Sequence, residues 1–356
     1  QTCALPIYRV LQDNLREGRI PLWNREIGGG VPFVPQMAQP YQPWNLLLLL
    51  LPSEQWYGWT IFGQLVLMGT FAYGFVRRLG CRHASSLLAI VAATIGIWTQ
   101  SKLHHNVMLT AAMSMFPMLS AVHDIGHGRS SAKSAAWLAV WAGLAWLSGF
   151  VIIALQACYV AGGYALLLAL HRPRGQRLRP LGVTLAGFAL GGALSLAQMG
   201  PLLLAIPVSA RPPEFDEALH RLRSIDWDFL LTFVWPDLFY WARDVFYLKV
   251  DPTLPLVVRP PLSQLVLLHA PLQAFGNWVE CACAMSVPAL VAALLAFFDR
   301  QRRAVVWFCG AMLVLGFGMA TGSQPFFFLA RHLPGLAATD LRRELFFAAM
   351  ALVILS

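Results

Sequence analysis

Charge is scarce in this sequence. Only 12% of its 356 residues are Asp, Glu, Lys or Arg, about half of the roughly one quarter usual in soluble domains. With 58% of the residues hydrophobic, an ordinary water-soluble domain is excluded. Acidic residues are the scarcest, 17 against 26 basic ones, for a net charge of +9. That excess does not indicate nucleic acid, because the basic residues fall in short clusters between apolar runs, as membrane proteins arrange them. Cysteine is sparse too. Of the six, Cys3 lies at the very start, Cys81 beside a basic cluster, and Cys158 and Cys309 inside apolar runs. Cys281 and Cys283 are too close in sequence for an unstrained mutual disulfide and have no nearby His for zinc. They read as small apolar fillers. No tandem repeat, heptad array or low-complexity linker is present, which excludes solenoids and coiled coils.

What the sequence has is length in apolar runs, with a mean hydropathy of +0.59. A bilayer core about 30 Å thick needs roughly 20 apolar helical residues. The runs 57–76, 84–100, 106–122, 135–149, 151–170, 181–206, 284–298 and 304–321 fit that need, and a further one begins at 344. An all-α polytopic membrane protein is expected. Twelve basic residues sit on one side of these spans (Arg77, Arg78, Arg82, Arg129, Lys133, Arg172, Arg174, Arg177, Arg179, Arg300, Arg302 and Arg303). The short loops on the opposite side hold only Lys102, Arg331, Arg342 and Arg343. The basic side is the cytoplasmic one. Residues 8–56 then form a first outer loop with interfacial helices, 57–206 a transmembrane bundle, 207–283 a large outer loop, and 284–356 a second, truncated bundle.

Both ends read as cut. Residues 1–7, QTCALPI, correspond to a translated sequencing-adapter end, and the final apolar run stops without flanking charge. Within the large loop, 224–248 alternates acids with a heavy aromatic face at helical spacing, an amphipathic surface helix with Asp226 and Asp228 at its start.

The stretch GRIPLWNREIGGGVPFVPQMAQPYQPWNLLLLLLP, 18–52, sets three glycines and several prolines against six leucines. A phosphate-binding loop would need a preceding strand, a following helix and a Lys-Ser/Thr or spaced-glycine pattern. Here Gly28–Gly30 run into Val31-Pro32, so the glycines are expected to let a Pro-rich loop pack closely over the membrane face. The leucines at 46–51, bounded by Pro43 and Pro52, are too few to cross and read as an interfacial or re-entrant helix.

This stretch resembles the first outer loop of the YfhO-like bacterial membrane proteins. Gly18, Pro21, Leu22, Trp23, Asn24, Gly29, Gly30, Pro32, Phe33, Tyr41, Pro43 and Asn45 match that pattern in order. Further similarity runs through 103–119, 194–211, 230–240 and 331–347. The chain departs from the family at Gly149-Phe150-Val151-Ile152 and at Asp340-Leu341-Arg342-Arg343-Glu344, as a divergent member would. The resemblance implies a GT-C type glycosyltransferase of the bacterial inner membrane with its large loops outside. Such an enzyme takes a sugar from a polyprenyl-phosphate carrier and gives it to a cell-envelope glycan acceptor. It also implies a catalytic Asp upstream of Tyr8. No cofactor and no nucleic acid are implied, and a divalent metal stays open.

Sugar transfer from a phosphate carrier needs a base for the acceptor hydroxyl, donors for the departing phosphate, and aromatic surface for the sugar. Glu26, Asp237 and Asp340 are the carboxylates to test, each equally suited to a structural ion pair. Trp23 and Tyr41 could stack on sugar, with Asn24, Gly29 and Gly30 shaping the loop. Tyr and Trp also gather at bilayer interfaces, which covers Trp44. His104, His105, Arg342 and Arg343 could meet a phosphate, the arginines through their fork of donors, or could be interfacial anchors. The competing readings are a transporter or lipid flippase, although apart from the polar Gln64, Gln156 and Gln198 the span interiors are nearly free of candidate ion or proton carriers, and a non-catalytic membrane scaffold.

Overall fold

The computed structural model describes residues 5–26, 29–34, 39–103, 105–129, 131–205, 224–225, 286–336 and 340–356. Gly28, His104, Asp237, Cys281, Cys283 and nearly all of the 207–283 loop lie outside them. The described residues are mostly helical and fall into two compact units, Gln1–Thr94 with Lys102–Pro213, and Ile95–Ser101 with Glu214–Ser356.

The first unit begins with α1 (Leu5–Arg16), whose Tyr8 and Leu11 pack with Phe33, Leu48, Trp56 and Tyr57. Tyr8 is fully buried, its ring centroid 4.4 Å from that of Trp56. After α1 comes an antiparallel ribbon, β1 (Trp23–Asn24) and β2 (Val31–Pro32), paired Trp23 to Pro32 and Asn24 to Val31. The leucine run is a 3-10 helix over Pro43–Leu49 that buries Leu48 and leaves Leu46, Leu47 and Leu49 exposed.

The bundle itself comprises α2 (Ser53–Arg78), α3 (His83–Ile95), α5 (Asn106–Gly126), α6 (Ser131–Leu147), α7 (Val151–Leu170), α8 (Leu178–Leu194) and α9 (Leu196–Ala205); α4 (Ile97–Ser101) falls in the second unit. α5 is the central helix. It packs on α2, α6 and α7 and is buried all round, which suits its content of Ala, Met and Ser in place of a one-sided apolar stripe. α6 and α8 approach closely through small residues. A Cβ at Gly191 would lie 2.7 Å from the Ala142 methyl and 2.9 Å from the Ala139 carbonyl, and one at Gly187 2.8 Å from Leu138. This is the small-xxx-small contact by which helices pack in lipid.

The second unit holds α4 with α10 (Val287–Ala296), α11 (Arg303–Ala320), α12 (Phe326–His332), a 3-10 turn over Leu341–Glu344, and α13 (Leu345–Leu355). α13 is buried along its whole length against α10 and α11. At Gly316 of α11 a Cβ would stand 2.8 Å from the Ala348 backbone nitrogen, so glycine sets how near the two helices come. The ring of Trp98 in α4 lies 5.3 Å from that of Phe346.

Among the described residues, four helices are long and apolar enough to cross a membrane: Ser53–Arg78, His83–Ser101 with its interruption at Gly96, Val151–Leu170 and Arg303–Ala320. Two expectations are corrected. The run 181–206 is not one straight helix, because α8 and α9 bend by 75° at Ser195, as a broken span or a re-entrant loop does. The run 284–298 yields a helix of only 10 residues, about 15 Å long, since Pro288 opens it and the Phe297–Arg300 turn ends it. The all-helical expectation also missed the ribbon at 23–32.

Candidate functional site

The ribbon is built by its glycines. Gly29 and Gly30 have φ of +79° and +115°, values that L side chains rarely adopt, and they turn the chain between the strands. A Cβ at Gly30 would overlap the indole nitrogen of Trp23. The turn therefore brings Gly30 against the indole of half-exposed Trp23, while Asn24 is buried and its Oδ1 accepts from the Glu26 N–H at 3.0 Å. Trp23, Asn24, Gly29 and Gly30 are thus together, and Glu26 stands exposed at the turn. Tyr41 is half-buried in the following loop.

Side-chain amides fasten this loop region to the helices. Gln198 of α9 donates to the Val34 carbonyl at 3.0 Å, Gln42 to the Leu144 carbonyl near the end of α6 at 2.7 Å, and Gln12 of α1 to the Leu48 and Leu51 carbonyls at 2.6 and 2.7 Å. Trp56 adds a bond from Nε1 to the Trp44 carbonyl at 2.9 Å. Each satisfies a backbone carbonyl that an irregular or helix-ending segment leaves over.

Where α5 begins, the amides meet one another. Tyr8 donates its hydroxyl to Asn106 Oδ1 at 3.0 Å, and the Gln39 amide reaches the same oxygen at 3.5 Å. Asn45 donates to the Gln39 carbonyl. One turn along α5, Thr110 donates to the Asn106 carbonyl at 3.0 Å and accepts from Gln64 of α2 at 2.7 Å. Gln39 holds φ at +50°, a strained value for a residue with a side chain, and is completely buried. His105, exposed, caps the start of α5 with its own N–H bonded to the Lys102 carbonyl at 2.7 Å.

In the second unit, the arginine pair is divided. Arg342 is buried and forks onto Asp340, Nε to Oδ1 at 2.9 Å and Nη2 to Oδ2 at 2.6 Å, while Asp340 also caps the 3-10 turn by accepting the Arg342 N–H at 3.2 Å. Burial alone would raise the Asp340 carboxyl, but the Arg342 hydrogen bonds and the charges of Arg342 and Arg343 outweigh it and hold the pKa below the usual carboxylate range. Asp340 is therefore an ionised partner, poorly suited to act as a base. Arg343 is half-buried, and Glu344 beside it is 0% exposed. Sequence reasoning passed over Glu344, although a carboxylate directly before eleven apolar residues is a visible signal.

A second polar cluster lies at the far end of α5, beyond the expected span 106–122. His123 shares a 2.8 Å hydrogen bond with the Tyr164 hydroxyl, and the His127 ring lies 4.1 Å from its own. Asp124 stands between Arg78 at 3.6 Å and Arg129 at 3.8 Å. Burial first, then repulsion from His127, Arg129 and Arg78 against the pull of Asp124, lowers the His123 pKa to about 4. Among the described residues, no three His, Cys, Asp or Glu gather in a way that could hold a metal ion.

No family model, curated protein or solved structure matches the chain.

Proposed function

We propose that the chain is a YfhO-like, GT-C type membrane glycosyltransferase that takes a sugar from a polyprenyl-phosphate carrier on the outer face of the bacterial inner membrane. The observation that carries this reading is the backbone described over 23–26, 29–34 and 39–42, which is not α-helical, forms the ribbon and adjoining loop residues and is tied to the bundle by buried amides. Irregular backbone at a membrane boundary persists where it is buried in protein or lines a wet cavity, and a substrate vestibule asks for such a surface. The residues that make the ribbon are those that carry the family resemblance.

In this reading the acceptor hydroxyl attacks the anomeric carbon, its proton passes to a carboxylate, and the carbon–oxygen bond to the carrier phosphate breaks with its electron pair leaving on the phosphate. Trp23 offers its exposed face to a sugar ring. Glu26, exposed at the ribbon turn, is the carboxylate this reading assigns to take the proton, alongside the Asp expected upstream of Tyr8. In the second unit, taken by itself, Arg342, engaged by Asp340, holds the 3-10 turn in shape, and half-buried Arg343 is the cation offered there to a phosphate group.

The test is transfer of labelled sugar from a synthetic polyprenyl-phosphate donor by the purified full-length protein in lipid nanodiscs. Glycan product that disappears in Trp23→Ala while folding is retained supports the reading; its absence across a panel of donor sugars and envelope acceptors refutes it.

One observation favours a transporter instead. The 75° break at Ser195, with fully buried Gln198 one turn beyond it, is the kind of discontinuous helix that lines substrate paths in carriers. Uptake or flipping of a lipid-linked sugar in proteoliposomes, without bond cleavage, would identify that activity.

A further inference from the structure

We propose that the amides of Gln39, Asn45, Gln64 and Asn106, in the first unit where the loop meets α2 and α5, form a buried binding site for hydroxyl groups. The inference does not depend on the transferase reading. All four side chains are nine-tenths or more buried. Each has one amide end without a protein partner: Gln39 Oε1, Asn45 Oδ1, Gln64 Oε1 and Asn106 Nδ2. They belong to one connected set, through Gln39 to Asn106, Asn45 to the Gln39 carbonyl, and Gln64 through Thr110 to the Asn106 carbonyl. A single deficient amide is an ordinary imperfection. Four in one network are a demand, because buried polar groups are nearly always met by protein or bound solvent.

Turning the amides end for end does not remove the demand. If Asn106 is rotated, its Nδ2 faces the Gln39 Nε2 that now donates to the same position. If Gln39 is rotated with it, the pair is restored and the opposite ends are left over. Rotating Gln64 makes Oε1 the partner of Thr110 and leaves Nε2 instead. Every assignment leaves one end of each amide, and only the mixture of donors and acceptors changes. A cation would serve only oxygens and an anion only N–H groups. A hydroxyl both donates and accepts, so it can serve whichever ends are presented. The two sources of that chemistry are internal water and the hydroxyls of a sugar or other polyol.

Two readouts test the site, neither using transferase activity, so their failure leaves the transferase reading standing. The first is the double substitution Gln64→Met with Thr110→Val, which removes both partners of an existing bond with little change of shape. If Gln64 Oε1 were unmet in the native protein, the exchange would be neutral or stabilising. With a hydroxyl bound there, the melting temperature in detergent falls by about 3 °C or more. The second is radiolytic hydroxyl labelling of the wild-type protein. Tyr8 is 2% exposed, beyond reach of bulk radicals, yet its phenol bonds to Asn106, so hydroxyls held at the site give a modified Tyr8 ring. An unchanged or raised melting temperature, or an unlabelled Tyr8, overturns the proposal, and if the variant is not recovered folded the labelling decides alone. A melting temperature raised by millimolar methyl glycosides in wild type but not in the variant assigns the hydroxyls to sugar; labelling of Tyr8 with no glycoside response assigns them to water.

Discussion

Gln64 of α2 donates to Thr110 of α5 at 2.7 Å, and fourteen residues further along each helix Arg78 meets Asp124 at 3.6 Å. Equal spacing between the two contacts means that α2 and α5 run in the same direction and in constant register over about 21 Å. The link between them therefore has to return the chain to the end of the bundle where α2 begins. Two polar pairs at either end of an otherwise apolar seam fix that register, since sliding by one turn would break both at once.

Tyr8 ties α1 to the start of α5. Tyr8→Phe keeps the ring against Trp56 but deletes the hydroxyl that donates to Asn106. It is expected to lower unfolding free energy by about 1–3 kcal/mol, because the Asn106 oxygen loses its better partner in a buried place. Denaturant melts in detergent read this directly, and an unchanged midpoint would mean α1 is not docked as described.

Neighbouring glycines in α8 separate a packing role from a passive one. Gly191→Ala would drive a methyl into Ala142 and the Ala139 carbonyl, whereas a Cβ at Gly192 meets nothing within 4 Å. The first substitution should destabilise by about 1–3 kcal/mol. The second should be neutral or stabilising by up to about 1 kcal/mol through helix propensity. Thermal unfolding of the two variants side by side checks the contrast.

Removing one partner of the Asp340–Arg342 pair leaves a buried charge, at a cost of about 3–5 kcal/mol. Arg342→Ala should therefore be markedly unstable, and Asp340→Asn with Arg342→Met should recover most of the loss. Because the two side chains lie buried together, a loss of activity in Arg342→Ala reports folding. Arg343→Ala, stable and impaired in donor binding, would report phosphate. Equal stability of all three variants would show that the fork is not formed.

His123 gives stability a pH dependence of definite sign. Its ordinary pKa of 6.5 falls to about 4 in the folded protein, so the unfolded chain binds the proton more readily. Stability is full above pH 6.5 and drains as pH drops toward 4. Between pH 7 and 5 the loss should be about 1–2 kcal/mol, allowing for screening at a helix end. Asp340, with its lowered pKa, acts only below this window. His123→Gln should flatten the curve, and an equally steep curve in that variant would assign the effect elsewhere.

Glu26→Gln tests the proton acceptor at the ribbon. If Glu26 is the base, sugar transfer falls by about 10²–10⁴-fold with the melting temperature unchanged, since the side chain is exposed. Transfer within twofold of wild type moves the base to another carboxylate.

The long helices were legible because they rest on averages. The run 151–170 coincides with α7, and 304–321 differs from α11 by one residue at each end. The same averaging hid the break at Ser195, since both halves of 181–206 are equally apolar and a bend leaves no mark in hydropathy. Two-residue strands fall below any detectable period, so the Gly-rich stretch showed its need for a tight loop but not the ribbon. The buried amides were the least visible. Gln39 and Gln42 sit among prolines, where a glutamine reads as solvated, and only the carbonyls they meet reveal otherwise. Gln64 and Gln198 stood out because they interrupt apolar runs, yet what each serves lies 46 and 164 residues away.

That last separation bears on synthesis. The Val34 carbonyl emerges early, and the Gln198 amide that donates to it is not made until 164 residues later. During insertion the ribbon therefore waits, formed or unformed, with its attachment point absent, while the seven helices α2 to α8 are made. Closing so long a loop contributes little local order beforehand, so seating of the ribbon belongs to the final act of assembly. A nascent chain arrested before Leu196 should leave 31–34 open to protease, and release of the next ten residues should close it.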